Sequence, residues 1–345
     1  MMSSTRKSSL HTGMKAALLG ASLLALQGCG MIYKTTGDVL MGFGSKEMLP
    51  YMMSDQDTRV ACAAGEAQTP LLLAFERVGS DPNKLAVLMN VVASSCTDEL
   101  ALEQELRYLR AGKSQNIAEA PDARIMQKRY AAISARRQYA SYQRLQAAFP
   151  IPEGENCSKK KLKTDFDELA WMIGNIGGMQ AMMSDSTADG VVGVPRDIAA
   201  RVERGIECIP SDKWWGVPRG VRAAIWNIVP MYAPANADPW AELDKAVKIG
   251  NQQGVRLGGA MYVLAAYTKG DNERARQGIR DFAANNKNLN AEFRMMDVMA
   301  ETIVIGISDR MWTEATGKRT PVGGLGTFWD DAAKSQPSFN IDDLL

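Results

Sequence analysis

Histidine is almost absent from this chain, since its one histidine, His11, lies in the N-terminal leader. The chain that remains after leader removal has no imidazole, which excludes a Ser-His-Asp triad, a Cys-His pair, a histidine zinc site and a switch near neutral pH. Carboxylate pairs, Ser-Lys dyads and oxygen-ligated calcium are not excluded. Adjacent acids such as Asp330-Asp331 and Asp342-Asp343 point apart in a helix and are poor glycosidase candidates. We therefore expect no catalytic site, no metal site and no cofactor.

The chain also lacks an excess of basic charge and a second long apolar stretch. Without the leader residues Arg6, Lys7 and Lys15, 37 basic residues stand against 39 acidic ones. This balance gives no basic bias for nucleic acid. No stretch after Leu26 is long and apolar enough for us to expect a membrane-spanning helix. The sequence thus predicts a protein that neither binds nucleic acid nor is embedded in a bilayer.

The leader has the pattern of an export signal. Lys15 precedes an apolar stretch, Ala16 to Leu26, that suits a signal peptide and is too short to span a bilayer. It ends in Leu26-Gln27-Gly28-Cys29, which resembles the bacterial lipobox, whose cysteine is acylated and becomes the first mature residue. We predict a signal peptide over residues 1–28, with translation starting at Met1 or Met14, and lipidation at Cys29.

The lipobox resemblance also implies a subcellular location. In the associated sorting rule, an Asp after the acylated cysteine retains a lipoprotein at the inner membrane, and here that residue is Gly30. We therefore expect the protein at the periplasmic face of the outer membrane.

Four cysteines remain once Cys29 is set aside, an even number in a compartment that permits disulfides. Three connectivities are open, and pairing of sequence neighbours, Cys62 with Cys96 and Cys157 with Cys208, closes the shortest loops. One alternative is that the four cysteines are buried free thiols. The other is a metal site, and the absence of a C-x-x-C pair disfavours it. The sequence predicts two disulfides.

Helical periodicity dominates the remaining chain. Apolar residues recur at three- and four-residue steps from Phe166 to Met183 and from Phe293 to Ile307, and no alternating strand pattern competes. Asp165 with Glu168 is a candidate helix cap, and Asp238-Pro239 is a second. We expect one uninterrupted helix from Asp122 to Phe149, before Pro150.

The sequence suggests five segments in an all-α protein. They are the signal peptide 1–28, a lipid-anchored tether with a short helix over 29–55, N-terminal helical hairpins over 56–150, a helical region over 151–317 and an extended tail over 318–345. Residues 258–282 combine small and aromatic residues in the manner of a tetratricopeptide repeat hairpin. We predict stacked helical hairpins that form an α-solenoid similar to tetratricopeptide repeats.

Two groups of residues are candidates for a ligand or partner surface. Gly174, Gly177 and Gly178 lie inside a strongly periodic helix, where each costs about 1 kcal/mol relative to alanine. Close helix packing is one explanation and a ligand-lined surface is the other. The second group is tryptophan, whose large area suits either a cavity or core packing: Trp214, Trp215 and Trp226.

Oppositely charged segments follow one another in the first half of the chain. Asp98, Glu99, Glu103 and Glu105 precede a basic segment that includes Arg124, Lys128, Arg137 and Arg144. Pairing across a helical hairpin is one interpretation. A basic face for an acidic partner or lipid headgroups is the other.

Several scattered motifs resemble the T component associated with TRAP transporters: Gly37-Asp38-Val39, Leu71-Leu72-Leu73, Asp81-Pro82, Val92-Ala93-Ser94-Ser95 and the long helix with Ala123-Arg124 and Tyr130. Members of that family are periplasmic lipoproteins of cryptic tetratricopeptide repeats, which form trimers that dock the substrate-binding component of the transporter. The resemblance implies that the protein binds a partner in solute import and that it forms a homo-trimer. It carries over no functional residue beyond Cys29.

Three functional hypotheses follow. The first is a helical-repeat lipoprotein that binds a TRAP-type substrate-binding protein, and a small apolar ligand in addition. The second is a scaffold for envelope or outer-membrane assembly, and the third is a cell-wall hydrolase with two carboxylates. Neighbouring genes for TRAP subunits would favour the first over the second, and two carboxylates about 5–10 Å apart in a cleft would favour the third.

Overall fold

A computed structural model describes residues 30–331 of the chain. The predicted signal peptide, Cys29 and residues 332–345 lie outside this range. Residues 30–331 form eleven α-helices and no strands, which confirms the all-α prediction. The helices pack in antiparallel fashion, whereas a regular solenoid of tetratricopeptide type stays a prediction.

The helices are joined by connections of 3 to 16 residues, of which residues 149–164 are the longest. Their bounds are 30–54 for α1, which contains the π-helical turn Gly44–Met48 and ends with Leu49–Ser54, then α2 Thr58–Ala74, α3 Asn83–Lys113, α4 Glu119–Ala148, α5 Asp165–Thr187, α6 Ile198–Gly205, α7 Val217–Ile228, α8 Pro239–Gln253, α9 Leu257–Thr268, α10 Asn272–Ala284 and α11 Arg294–Thr316. The long helix expected over 122–149 corresponds to α4.

The centre of the first half is α3, which α2, α4, α5 and α11 surround. It forms an antiparallel hairpin with α4, since Ser134 Oγ donates to Thr97 Oγ1 at 2.8 Å and Ser141 Oγ donates to the Val87 carbonyl at 2.7 Å. Contrary to our expectation, α3 is long and apolar enough to cross a membrane by length and composition. Of its apolar window, 61% is buried inside the structure, so its central position accounts for that composition.

The second half is arranged around α9, which packs on α7, α8, α10 and α11. Helices α9 and α10 form the hairpin expected over residues 258–282. They have 12 and 13 residues, whereas α3 and α4 have 31 and 30, so these two hairpins differ more than twofold in length.

The helix caps follow local sequence chemistry. Asp238 accepts hydrogen bonds from the backbone N–H groups of Trp240 and Ala241, as predicted. The first turn of α5 differs, because Thr164 and Asp167 form the capping box there. Our assignment of this cap to Asp165 and Glu168 is wrong by one residue.

The two ends of the described range differ from expectation. Residues 30–54 are helical, where the sequence predicted a tether before a short helix. Residues 318–331 contain no helix, as expected for a tail, but they pack on the bundle: Phe328 is buried and Trp312 Nε1 donates to the Thr327 carbonyl at 3.0 Å. The sequence pattern missed this contact because Phe328 and Trp329 stand alone among polar residues.

The two predicted disulfides are present, and both join sequence neighbours, which is one of the three connectivities that the sequence left open. Cys62 of α2 pairs with Cys96 of α3, with a Cα separation of 5.8 Å. Cys157 pairs with Cys208, with a Cα separation of 6.3 Å, and so joins the α4–α5 loop to the segment after α6. Both distances are ordinary for disulfides. Glu66 lies beside the first pair, but sulfurs that are bonded to each other do not serve as thiolate ligands for a metal ion.

Candidate functional site

The three candidate glycines all lie in the interface of α5 with its neighbours. A Cβ at position 174 would be 2.8 Å from Leu145 Cδ1, and one at position 177 would be 2.9 Å from Val91 Cγ2. At position 178 it would be 2.6 Å from Tyr142 Cδ2. Close approach of α5 to α3 and α4 therefore accounts for Gly174, Gly177 and Gly178, and all three are buried.

The three tryptophans are buried as well, and they belong to two different clusters. Trp215 packs on Trp214 and on Phe293, with ring centroids 5.4 and 4.7 Å apart, and Trp214 Nε1 donates to Glu168 at 2.8 Å. Trp226 lies in a separate cluster with Leu243, and its Nε1 donates to Glu203 at 3.1 Å. Core packing accounts for all three rings, the N–H groups of Trp214 and Trp226 have carboxylate acceptors, and the candidates form no common surface.

An open groove lies elsewhere, between α8 and α10. We call it the α8–α10 groove; it has a volume of about 520 Å³. Its lining consists of Asp244, Val247, Lys248, Asn251, Gln252, Asp281 and Asn285. A narrower inner part of about 70 Å³ also reaches Gly259, Tyr262, Gly278 and Phe282.

The inner part of the groove owes its shape to two glycines on the facing helices α9 and α10. A Cβ at Gly259 would be 3.0 Å from Phe282, and a Cβ at Gly278 would be 3.0 Å from both Tyr262 and Val263. The helices can therefore approach closely, and Tyr262 forms part of the wall. Its hydroxyl accepts a hydrogen bond from Arg274 Nη1 at 3.1 Å, so the ring is held in place.

The α8–α10 groove is shallow and is lined mainly by polar and charged side chains. Asn251, Gln252 and Asn285 offer amides that donate and accept hydrogen bonds, as a peptide backbone requires. Asp244 and Asp281 add negative charge, against the single positive charge of Lys248. The polar rim over a small apolar interior favours a polar, basic segment over a wholly apolar ligand.

One carboxyl group has the altered acidity that catalytic acids often show. Partial burial raises the pKa of Asp98 to about 6, although hydrogen bonds from Ser134, Ser94 and Gln138 act in the opposite direction. Asp98 lies in the packed seam between α3 and α4, and it does not line the α8–α10 groove. The acid and the groove are thus separate, which gives the hydrolase hypothesis no support.

No sequence pattern indicates the groove residues in advance. Asp244 and Asn251 are seven residues apart on α8, and Asp281 and Asn285 are four apart on α10, so each pair shares a helix face. Such spacing of polar residues occurs on any exposed helix face. Only the packing of α8 and α10 on α9 brings the two pairs together.

Neither a protein-family model, nor a curated protein, nor a solved structure matches the chain. The resemblance to the TRAP-associated T component therefore stays a prediction from the sequence motifs.

Proposed function

We propose that the chain is a lipid-anchored protein of the periplasmic face of the outer membrane, which acts by binding a partner protein. The observation that carries this proposal is the apolar stretch Ala16 to Leu26, whose last residue is the first of the lipobox-like Leu26-Gln27-Gly28-Cys29. Two disulfides are consistent with export, since they persist in oxidising compartments. Acylation of Cys29 would hold the helices at the membrane.

The proposed partner is a substrate-binding protein of the TRAP type, in support of solute uptake. The motifs between Gly37 and Tyr130 supply the partner class, and they also suggest assembly as a homo-trimer. The α8–α10 groove is the proposed docking site, because its amides and carboxylates match the needs of an extended polar segment. A small apolar ligand would be a further occupant of the bundle.

The test is affinity capture of the full chain from envelope extract, with mass spectrometry of the recovered partners and of the N-terminus. We expect an acylated Cys29 and a TRAP substrate-binding protein among the partners. Recovery of envelope assembly factors instead would favour the scaffold alternative. An unmodified N-terminus would contradict the proposed anchor.

Charge reversal tests the groove itself. The double variant Asp244→Lys/Asp281→Lys is expected to lose the partner, because it changes the charge of two groove residues. The matched control is Glu153→Lys/Glu155→Lys, which changes net charge equally at exposed positions of the α4–α5 loop. Equal capture by both variants would contradict docking in this groove.

A further inference from the structure

Helix α1 has one face fixed to the bundle. Gly37 is buried against Phe75 and Ser80, where an added Cβ would overlap both, and Gly44 is buried in the same way against Leu85. Ser80 Oγ donates a hydrogen bond to the Lys34 carbonyl at 3.0 Å. These contacts hold α1 to the segment between α2 and α3 and to α3 itself, so α1 is not a freely rotating tether.

The opposite face of α1 carries large apolar side chains that are open to solvent. Ile32, Val39 and Phe43 share this face because they are seven and four residues apart, and they are 65%, 64% and 56% exposed. Six of the twenty exposed large apolar side chains in residues 30–331 lie in this one helix: Met31, Ile32, Tyr33, Val39, Phe43 and Tyr51. We call Ile32, Val39 and Phe43 the outer stripe.

The position of the outer stripe in the chain indicates what covers it. Residue 30, the first that the structure describes, is already helical, and it follows Cys29 directly in the sequence. If Cys29 is acylated as proposed above, its acyl chains enter the bilayer one residue before the described part of α1. An amphipathic helix held at a membrane surface lowers its free energy by burying its apolar face among lipid headgroups and the upper acyl chains.

We propose that α1 lies flat on the periplasmic surface of the membrane, with the outer stripe inserted between lipids. This inference rests on the proposed lipid anchor and deepens it. Fourteen residues separate Phe43 from Cys29, or about 21 Å at about 1.5 Å per residue. An upright helix would therefore remove Phe43 from the bilayer, whereas a flat one brings Ile32, Val39 and Phe43 to the same depth.

A flat α1 also fixes how the whole bundle meets the membrane. Gly37 and Gly44 hold α1 against the bundle on the side away from the outer stripe. The lipid surface thus faces one side of the helix and the protein core faces the other. Attachment through α1 gives the bundle a defined orientation, which a flexible linker after the lipid would not give.

Photo-crosslinking tests this arrangement independently of natural acylation. Cys29 is the fifth cysteine of a chain whose other four are paired, so the full mature chain can be coupled through it to a maleimide-bearing phosphatidylethanolamine. The vesicles consist of phosphatidylethanolamine and phosphatidylglycerol. The crosslinker p-benzoylphenylalanine replaces Val39 or Phe43, and in the control it replaces Asp38, which is exposed and about 100° around the helix from Val39.

We expect lipid adducts at positions 39 and 43 in at least about fivefold higher yield than at position 38, since only the outer stripe faces lipid. Similar yields at all three positions would overturn the proposal, and so would lipid adducts at position 39 without any at position 43. Adducts with a second copy of the chain would overturn it as well, because the stripe would then be a dimer contact.

A second measurement uses the unanchored chain. For the Cys29→Ser mature chain, we expect Val39→Glu/Phe43→Glu to reduce partition into the same vesicles about tenfold. The control Ile117→Glu/Met231→Glu, at apolar positions that are 85% and 83% exposed, should leave partition unchanged. Equal losses in the two variants would overturn the proposal. If crosslinking and partition give the expected results while mass spectrometry finds the natural Cys29 unmodified, the proposed anchor fails and this inference stands.

Discussion

Two glycines show how a backbone requirement and a packing requirement can be separated at the scale of single residues. Gly216 and Gly190 share a left-handed φ of 76°. At Gly216, directly before α7, an added Cβ would be 2.7 Å from the Ala246 carbonyl oxygen and 2.8 Å from Ala246 Cα. At Gly190 nothing lies within 4 Å of such an atom. The two positions therefore differ in crowding and agree in φ.

Alanine substitution at these positions should have unequal effects. Gly190→Ala is expected to lower the free energy of unfolding by about 1–2 kcal/mol, the cost of a left-handed non-glycine residue. Gly216→Ala should lower it by about 1–3 kcal/mol more, because the new Cβ pushes α7 away from α8. Urea unfolding monitored by circular dichroism measures both. Equal losses would show that Ala246 moves aside freely.

Asp98 is the residue whose charge is least compatible with its surroundings. Its carboxylate accepts hydrogen bonds from Gln138 Nε2 at 3.0 and 3.2 Å and a longer one from Ser94 Oγ at 3.4 Å. Burial nevertheless raises its pKa from 3.8 to about 6. Gln138 Oε1 is buried and has no partner among residues 30–331.

Because the pKa of Asp98 is raised in the folded chain, the free energy of unfolding depends on pH. Between about pH 4 and 6 the folded chain holds a proton that the unfolded chain has lost, so unfolding becomes easier as pH rises through this window. The full effect is on the order of 3 kcal/mol. Asp98→Asn removes the charge, and its amide can donate to Gln138 Oε1.

We expect Asp98→Asn to raise the free energy of unfolding by about 1–3 kcal/mol at pH 7.5 and to change it little at pH 4. Urea titrations of both proteins at the two pH values provide the measurement. An equal difference at both pH values would mean that the effect comes from packing and not from ionisation.

At the scale of the elements, helices could be predicted from the sequence, but most of their partners could not. The periodicity from Phe166 to Met183 predicted α5 because it depends only on burial of one face. The charged segments of α3 and α4 left more possibilities open. Glu99 pairs with Arg59 of α2, and Arg137 pairs with Glu66 of α2, so neighbouring helices supply the partners.

The candidate surface shows the same limit. Glycines such as Gly177 mark close helix contacts, and the sequence cannot tell such a contact from a ligand-lined surface without the neighbouring helix. The α8–α10 groove could not be predicted because α8 and α10 form it only after both pack on α9. Local rules performed better, as the Asp238 cap shows, since a cap depends on neighbouring residues alone.

One buried ion pair ties α9 to α11. Arg256, before α9, is 3% exposed, and Asp297 of α11 is fully buried. The pair is bidentate, with Nε to Oδ1 at 2.8 Å and Nη2 to Oδ2 at 2.7 Å, and the Arg256 backbone N–H also donates to Asp297. Each charge also has a second partner, because Asp297 accepts from Arg294 Nη1 at 2.8 Å and Arg256 Nη2 lies 3.3 Å from the partly exposed Glu301. Removal of the Asp297 charge therefore leaves the buried Arg256 with Glu301 as its remaining ionic partner.

Asp297→Asn is therefore expected to lower the free energy of unfolding by about 1–3 kcal/mol, because Glu301 still pairs with Arg256. The control is Asp38→Asn, which breaks an exposed pair with Lys34 and should leave unfolding within error of the parent chain. Urea unfolding measures both, and amide exchange in α9 and α11 should show where protection is lost. A small effect of Asp297→Asn would mean that water reaches Arg256 in the variant.

For the whole molecule, covalent and noncovalent stabilisation are unevenly distributed. The disulfides link residues 34 and 51 positions apart, and both lie before residue 209. Helices α8 to α11 contain no cysteine, so packing around α9 and the Arg256–Asp297 pair hold them. Reduction should therefore act directly on the first half of the described chain and on the second half only through its contacts.

In the chain-entropy account, each disulfide contributes about 4 kcal/mol by restricting the unfolded chain. Against a typical total of about 5–15 kcal/mol, loss of both removes much of the stability. We expect Cys62→Ala/Cys96→Ala and Cys157→Ala/Cys208→Ala each to lower the urea midpoint, and dithiothreitol to lower that of the parent chain further. The quadruple variant, which has no disulfide to reduce, should be insensitive to dithiothreitol. The contrary outcome is that dithiothreitol leaves the urea midpoint of the parent chain unchanged and that the Cys29→Ser chain has four reactive thiols. That outcome would show that the cysteines are unpaired and that packing alone holds α2 to α3.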